Sequence, residues 1–122
     1  RSIVEEGKRF SAAELFGAQH RLTELQRTAE QVFARVDVLL LPTAPTIHTV
    51  EAMLADPVRL NSQLGYYTNF VNLLDLSAVA MPAGFRSDGL PFGVSFCAPA
   101  HQDAPLLELA QRWELATTDT PR

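Results

Sequence analysis

The sequence predicts an α/β fold, on the strength of three features of its apolar pattern. A stretch with helical spacing comes first, from Ser11 to Val36. Three short apolar stretches typical of strands follow, at residues 37–42, 77–85 and 91–98. A second helical pattern begins at about Asp103. Because helical and strand patterns succeed one another along one chain, we expect a sheet flanked by helices.

Composition excludes several classes of function. The chain has 122 residues, 47% of them hydrophobic and 20% charged, which favours one folded domain or part of one over a disordered segment. The net charge is −4 with no basic stripe, so we expect no nucleic-acid partner. No apolar run approaches the roughly 18 residues of a membrane span, so no membrane partner is expected. Because the chain starts at Arg1 rather than at methionine, we expect a piece of a longer protein.

A single cysteine, Cys97, cannot form an internal disulfide, and the sequence has no Cys/His spacing typical of zinc. We therefore predict no metal, no cofactor and a reducing, cytoplasmic setting. Cys97 lies among apolar strand residues and is predicted to be inert.

The first helix has a clear start. Ser11 and Glu14 fit a capping box, with Phe10 and Leu15 as its hydrophobic staple. Behind the cap, apolar residues recur at helical spacing and predict one buried face packed in a core. These residues are Leu15, Ala18, Leu22, Leu25, Ala29, Val32 and Val36.

Residues 37–42, DVLLLP, predict a strand buried on both faces, of the kind found in parallel sheets. Pro42 and Pro45 keep the following PTAPT segment extended. Since open α/β sheets bind ligands beyond the carboxyl ends of strands, Thr43 and Thr46 become pocket candidates. A plain solvent loop is the alternative.

Residues 51–64 predict a short helical turn and a surface connection. The segment that follows, LGYYTNFVNLL, places polar side chains in an apolar stretch. Such side chains either tie the backbone or face a cavity, because buried polar groups need partners. On the second alternative, Tyr66, Tyr67 and Asn69 join Thr43 as predicted pocket-lining residues.

Ser77–Phe85 and Pro91–Ala98 predict two neighbouring antiparallel strands joined at a turn, because Asp88-Gly89 is a strong turn signal. Gly84 and Gly93 are expected where another group approaches the backbone closely. The segment PAGFRSDGLPFGV is therefore interpreted as sheet architecture rather than catalytic machinery.

The residues themselves supply no complete catalytic constellation. No serine lies in a Gly-rich elbow, and Lys8 is the sole lysine. His20, His48 and His101 could act as bases, although a surface position is the simpler interpretation of each. We therefore predict no catalytic residue within the chain.

Several motifs together resemble the carboxyl-terminal part of the amidase domain in the amidase signature family. They are Pro42-Thr43, Asn72 through Ala78, Pro82-Ala83-Gly84, and Gly89 through Gly93. The resemblance runs from about Phe10 to Trp113. It implies a mixed β-sheet flanked by helices, incomplete as a domain. Residues 1–116 would be the carboxyl-terminal segment of the amidase domain, and residues 117–122 a linker or terminal tail.

Within the family, residues 39–85 are most similar to the allophanate-hydrolysing branch, and Asn72 to Ser77 departs from the N-x-x-G-x-P pattern of many other relatives. The stretch around Gly65 also lacks the acidic residue expected of a glutamine-recognising relative. The resemblance implies a Ser–cis-Ser–Lys triad in an amino-terminal Gly/Ser-rich region, which this chain does not contain. The expected parent reaction is hydrolysis of allophanate to ammonia and carbon dioxide in urea degradation, with the chain alone inactive.

Two alternatives stay open. One is another amidase acting on a different small amide, and the other is a non-enzymatic binding module derived from an amidase. The expected partner of the full-length protein is a small amide substrate, and a homodimer is an open alternative for its assembly.

Overall fold

The computed structural model describes residues 2–118, with side-chain surroundings for residues 4–117. The α/β class is confirmed. A 3₁₀ turn at Gly7–Arg9 and these helices and strands follow one another: α1 Ser2–Glu6, α2 Ala12–Phe33, β1 Leu39–Pro42, α3 Val50–Ala55, α4 Pro57–Leu64, α5 Asn69–Leu73, β2 Ser77–Phe85, β3 Pro91–Ala98 and α6 Asp103–Thr118.

The sheet has β3 in its centre, in the order β1-β3-β2, and β3 is antiparallel to both neighbours. The strand predicted at residues 37–42 is confirmed, but its parallel environment is wrong. In the described residues β1 pairs only with antiparallel β3, and Leu40 is 51% exposed. An apolar run indicates that a strand can be buried, but it does not indicate the direction of its partner.

The predicted hairpin of β2 and β3 is confirmed. The Gly89 N–H donates to Arg86 O at 3.0 Å, and the Arg86 N–H donates to Leu90 O at 2.8 Å. Gly89 has a φ of +80° and Gly84 a φ of +108°, which favour glycine. Gly84 lies at a register shift of β2 with open space around it, so its backbone conformation, not close packing, requires glycine.

The core lies between the hairpin and α6. Its buried members are Met81, Val94, Phe96, Ala98 and Leu106, and the predicted α6 stripe of Leu106, Leu109, Ala110 and Trp113 is confirmed. The Trp113 ring meets Phe96 edge to face at 5.6 Å. Its Nε1 donates to Pro82 O at 3.1 Å, which fixes α6 to β2.

Helix α2 begins as predicted but is not packed as predicted. The Ser11 N–H donates to Glu14 Oε2 at 2.7 Å, and the Glu14 N–H donates to Ser11 Oγ at 3.3 Å, which confirms the capping box. The expected core face is wrong for the described residues, because Leu15 is 57% and Leu25 is 52% exposed. Apolar periodicity shows which face of a helix can be buried, and not what covers it.

The structure adds detail to two predictions, the connection at residues 51–64 and the end of the last helix. The connection at residues 51–64 forms two short helices, in which Thr49 caps α3 and Asp56 caps α4. Residues 117 and 118, predicted to begin the tail, still belong to α6, and residues 119–122 lie outside the described part. Among the described helices, none has the length and apolar character that crossing a membrane requires.

Candidate functional site

A groove opens at one edge of the sheet. Because β1 and β2 are both antiparallel to β3, their carboxyl ends lie at the same edge, beside the start of β3. The groove there has a volume of about 1330 Å³. It is lined by residues 43–47 after β1, residues 80–86 in and after β2, residues 91–93 of β3, and Glu114 and Thr117 of α6. Its volume exceeds the roughly 300–1,000 Å³ of a fitted small-molecule pocket, and it is open to solvent.

Thr43 is held firmly on the wall of this groove. Its backbone N–H donates to Gly93 O at 3.0 Å, and its Oγ1 lies 2.8 Å from Ser95 Oγ. Gly93 makes this approach possible. A Cβ on Gly93 would lie 3.4 Å from Thr43 Oγ1 and 3.3 Å from Met81 O, so little space remains for a side chain.

Thr46, the other pocket candidate after β1, also lines the groove, whereas the remaining predicted pocket residues lie elsewhere. Tyr66, Tyr67 and Asn69 do not line the groove that contains Thr43. Tyr66 is 75% exposed, and its ring meets that of Tyr67 edge to face at 5.0 Å. The Asn69 carboxamide lies over Gly65, where any Cβ would collide with it. The structure thus brings Thr43 to the groove and leaves the other three at a separate turn.

Arg86 and Glu114 are the charged residues among those that line the groove. The Arg86 guanidinium lies 2.9 Å from an oxygen of Asp88, in the turn between β2 and β3. This pairing across the turn offsets the positive charge of Arg86. Most of the remaining wall is contributed by apolar and proline residues, and its side-chain hydroxyls are those of Thr43, Thr46 and Thr117.

The histidines do not converge on the groove. His20 is exposed on α2, and His101 occupies a turn with a φ of +65°. His48 is half-buried, and its Nε2 is inaccessible with no hydrogen-bond partner among the described residues. The expectation of a surface position is therefore wrong for this atom of His48.

Neither a metal cluster nor a reactive thiol emerges from the described residues. Within residues 2–118, no group of three or more His, Cys, Asp or Glu side chains could hold a metal ion. Cys97 is 0% exposed, and burial raises the pKa of its thiol. A protonated, enclosed thiol is a poor nucleophile, as the sequence predicted.

Ser95 was not among the predicted site residues, although its hydroxyl is the partner of the Thr43 hydroxyl. The two residues are 52 positions apart, so no local pattern connects them. Alternation along β3 places Ser95 on the face opposite Phe96, but it does not identify a partner for the Ser95 hydroxyl. The register of β1 and β3, which pairs Leu41 with Ser95, brings the two hydroxyls together.

A comparison with protein families covers most of the chain. The model of the amidase family matches residues 1–107. The chain belongs to the amidase family. In this amidase segment, the Pro42-Thr43 motif ends β1 at the groove, and the Gly89–Gly93 motif forms the turn and the start of β3.

Relatives of known function are much longer than this amidase segment. Urea amidolyase of Saccharomyces cerevisiae is 42% identical over 112 residues, which are 92% of this chain and 6% of the yeast protein. The solved structure of a serine-to-alanine variant of Kluyveromyces lactis allophanate hydrolase aligns with a TM-score of 0.84 and 39% identity, over 91% of this chain and 18% of that one. Kluyveromyces lactis urea amidolyase aligns with a TM-score of 0.89 and 37% identity, over 99% of this chain and 7% of that one.

Proposed function

We propose that this amidase segment belongs to an enzyme that hydrolyses allophanate to ammonia and carbon dioxide. The observation that carries the proposal is the likeness to Kluyveromyces lactis allophanate hydrolase, which combines 39% identity with a TM-score of 0.84 over 91% of the chain. The 42% identity with yeast urea amidolyase supports the same branch of the family.

The segment contributes architecture rather than the reacting groups. Its hairpin and α6 form a packed unit, and its groove presents the anchored Thr43 hydroxyl. The serine nucleophile, the relaying serine and the lysine base would come from residues outside this segment, because the described residues offer no such set. The proposed substrate contacts keep Thr43, Tyr66, Tyr67 and Asn69 as candidates, with Thr43 at the groove and the other three at the turn after α4.

The proposed setting follows from the proposed reaction. Degradation of urea nitrogen in the cytoplasm suits an allophanate hydrolase, and a single cysteine, which cannot form an internal disulfide, suits a reducing compartment. The proposed partner is a small amide, and assembly into a homodimer stays an open alternative.

Substrate profiling of the complete protein tests the proposal. We expect kcat/KM for ammonia release from allophanate to exceed that for acetamide, malonamide and glutamine by at least about a hundredfold, since amide hydrolases discriminate through several buried polar contacts. A different preferred amide would support the second alternative, another small-amide amidase. Absence of hydrolysis with every amide would favour the non-enzymatic alternative.

A further inference from the structure

The hydroxyl pair of Thr43 and Ser95 has an unequal environment. Ser95 is 3% exposed on the central strand, whereas Thr43 is half-buried and lines the groove. Their oxygens lie 2.8 Å apart, and this is the side-chain hydrogen bond that the structure shows for each of them. One hydroxyl therefore has access to the groove and the other has access only to its partner.

The environment decides which hydroxyl donates. If Thr43 donated to Ser95, the Ser95 proton would be left buried without an acceptor, which is costly. If Ser95 donates to Thr43, its own proton is satisfied and the Thr43 proton is free to point into the groove. The second arrangement leaves no buried donor unpaired, so it is the favoured one.

The geometry points to Thr43 as a hydrogen-bond donor to an oxygen of the amide substrate, with Ser95 as the residue that orients this donor. The inference rests on the proposed function, because it assigns the groove to an amide substrate. Amide carbonyl and carboxylate oxygens are the groups on such a substrate that accept from a hydroxyl. Gly93 contributes by leaving the space in which the Thr43 side chain stands.

A purely structural role predicts a different set of kinetic effects. If the Thr43–Ser95 bond only clamps the loop to β3, T43V acts by leaving the buried Ser95 hydroxyl unpaired, and kcat/KM should recover to the S95A level when S95A is added. If Thr43 donates to substrate, T43V removes the donor, and adding S95A restores nothing. The T43V/S95A double variant therefore separates the roles.

The test uses the complete protein with T43V, T43S, S95A and the T43V/S95A double variant. We expect T43V to lower kcat/KM about tenfold, S95A roughly threefold, and the double variant as much as T43V. T43S should retain most of the activity because it keeps the hydroxyl. T28V is the matched control, since Thr28 donates to Glu24 O at 3.1 Å on exposed α2 and should leave kcat/KM unchanged.

Recovery of kcat/KM in the double variant to the S95A level, or a T43V enzyme with unchanged kcat/KM, would overturn the inference. If T43V does not fold, T43A replaces it in the same comparison because it also lacks the hydroxyl. The preferred amide of the wild-type enzyme is determined first. If it is not allophanate, the proposed function fails while the Thr43 comparison is made on that amide, and an enzyme that hydrolyses no amide overturns both.

Discussion

Thr43 is held at the groove wall by two residues of β3, Gly93 and Ser95. Gly93 lies where a methyl group would press on Met81 O and Thr43 Oγ1, at 3.3 and 3.4 Å. Gly93 therefore leaves room for the Thr43 side chain, and the Ser95 hydroxyl holds it by a hydrogen bond. Such pairings depend on strand register, so the sequence indicated Thr43 as a pocket candidate but not what holds it.

Glu14 stabilises the start of α2 in a pH-dependent way, through the capping box that it forms with Ser11. Its pKa is lowered because its carboxylate accepts from the Ser11 backbone N–H and, second, from the Ser11 hydroxyl. Because the pKa of Glu14 is lower in the folded helix, the charged carboxylate stabilises α2 fully above the ordinary pKa of 4.5. This stabilisation is lost as the pH falls through the lowered pKa.

A peptide spanning residues 8–36 tests this effect by circular dichroism at 222 nm. We expect helicity to fall between pH 6 and roughly pH 3, and Glu14→Gln to remove part of that fall because glutamine keeps the capping box without titrating. Glu24→Gln, on the same helix outside the cap, is the control. Identical pH profiles for the native peptide and Glu14→Gln would contradict the assignment.

Helix α6 and the hairpin form the most tightly packed part of the described chain. Leu106 is 4% exposed in the core beside Phe96 and Met81, while its neighbour Leu107 is 61% exposed. Replacing each of these leucines by alanine removes the same atoms, so the two variants differ only in whether the side chain was buried.

Leu106→Ala should lower the free energy of unfolding by about 2–5 kcal/mol, because it leaves a cavity in the core. Leu107→Ala should change it by no more than about 0.5 kcal/mol. Urea unfolding followed by the fluorescence of Trp113, the sole tryptophan, measures both. Similar losses for the two variants would show that α6 is not docked through Leu106.

Short stretches of sequence predicted most helices and strands, whereas two wrong predictions concern the neighbours against which β1 and α2 pack. The Ser11 cap, the Asp88-Gly89 turn and the bounds of β2 and β3 were all visible in short stretches of sequence. The antiparallel partner of β1 and the exposure of the α2 stripe were not, because both depend on what lies beside the element. Apolar spacing reports a capacity for burial, and only packing shows whether it is used.

The described part of the segment carries many exposed large apolar side chains. Leu15, Leu25, Leu40, Leu54 and Phe85 are each more than half exposed. Because large exposed apolar surfaces usually mark contacts with other protein, these residues suit a segment that packs within a larger assembly. The comparison with a relative is consistent with this, because the segment spans only 18% of the matched allophanate hydrolase chain.

The predicted pocket residues lie in two separate places in the described structure. The sequence predicted Thr43 beyond β1, and the structure places it on the groove, but Tyr66, Tyr67 and Asn69 lie at another turn. A shared substrate pocket for all four stays a prediction. It could not be resolved from the sequence because residues separated along the chain meet only through the complete sheet and whatever packs on it.

We propose that this amidase segment provides scaffold and groove, while the reacting groups lie outside it. Ammonia release from allophanate by the isolated 122-residue chain, with circular dichroism on the same sample, tests it most directly. We expect a folded chain that releases no ammonia above the uncatalysed rate. Release at an enzymatic rate would contradict the account, because it would require a nucleophile and base within residues where we find none.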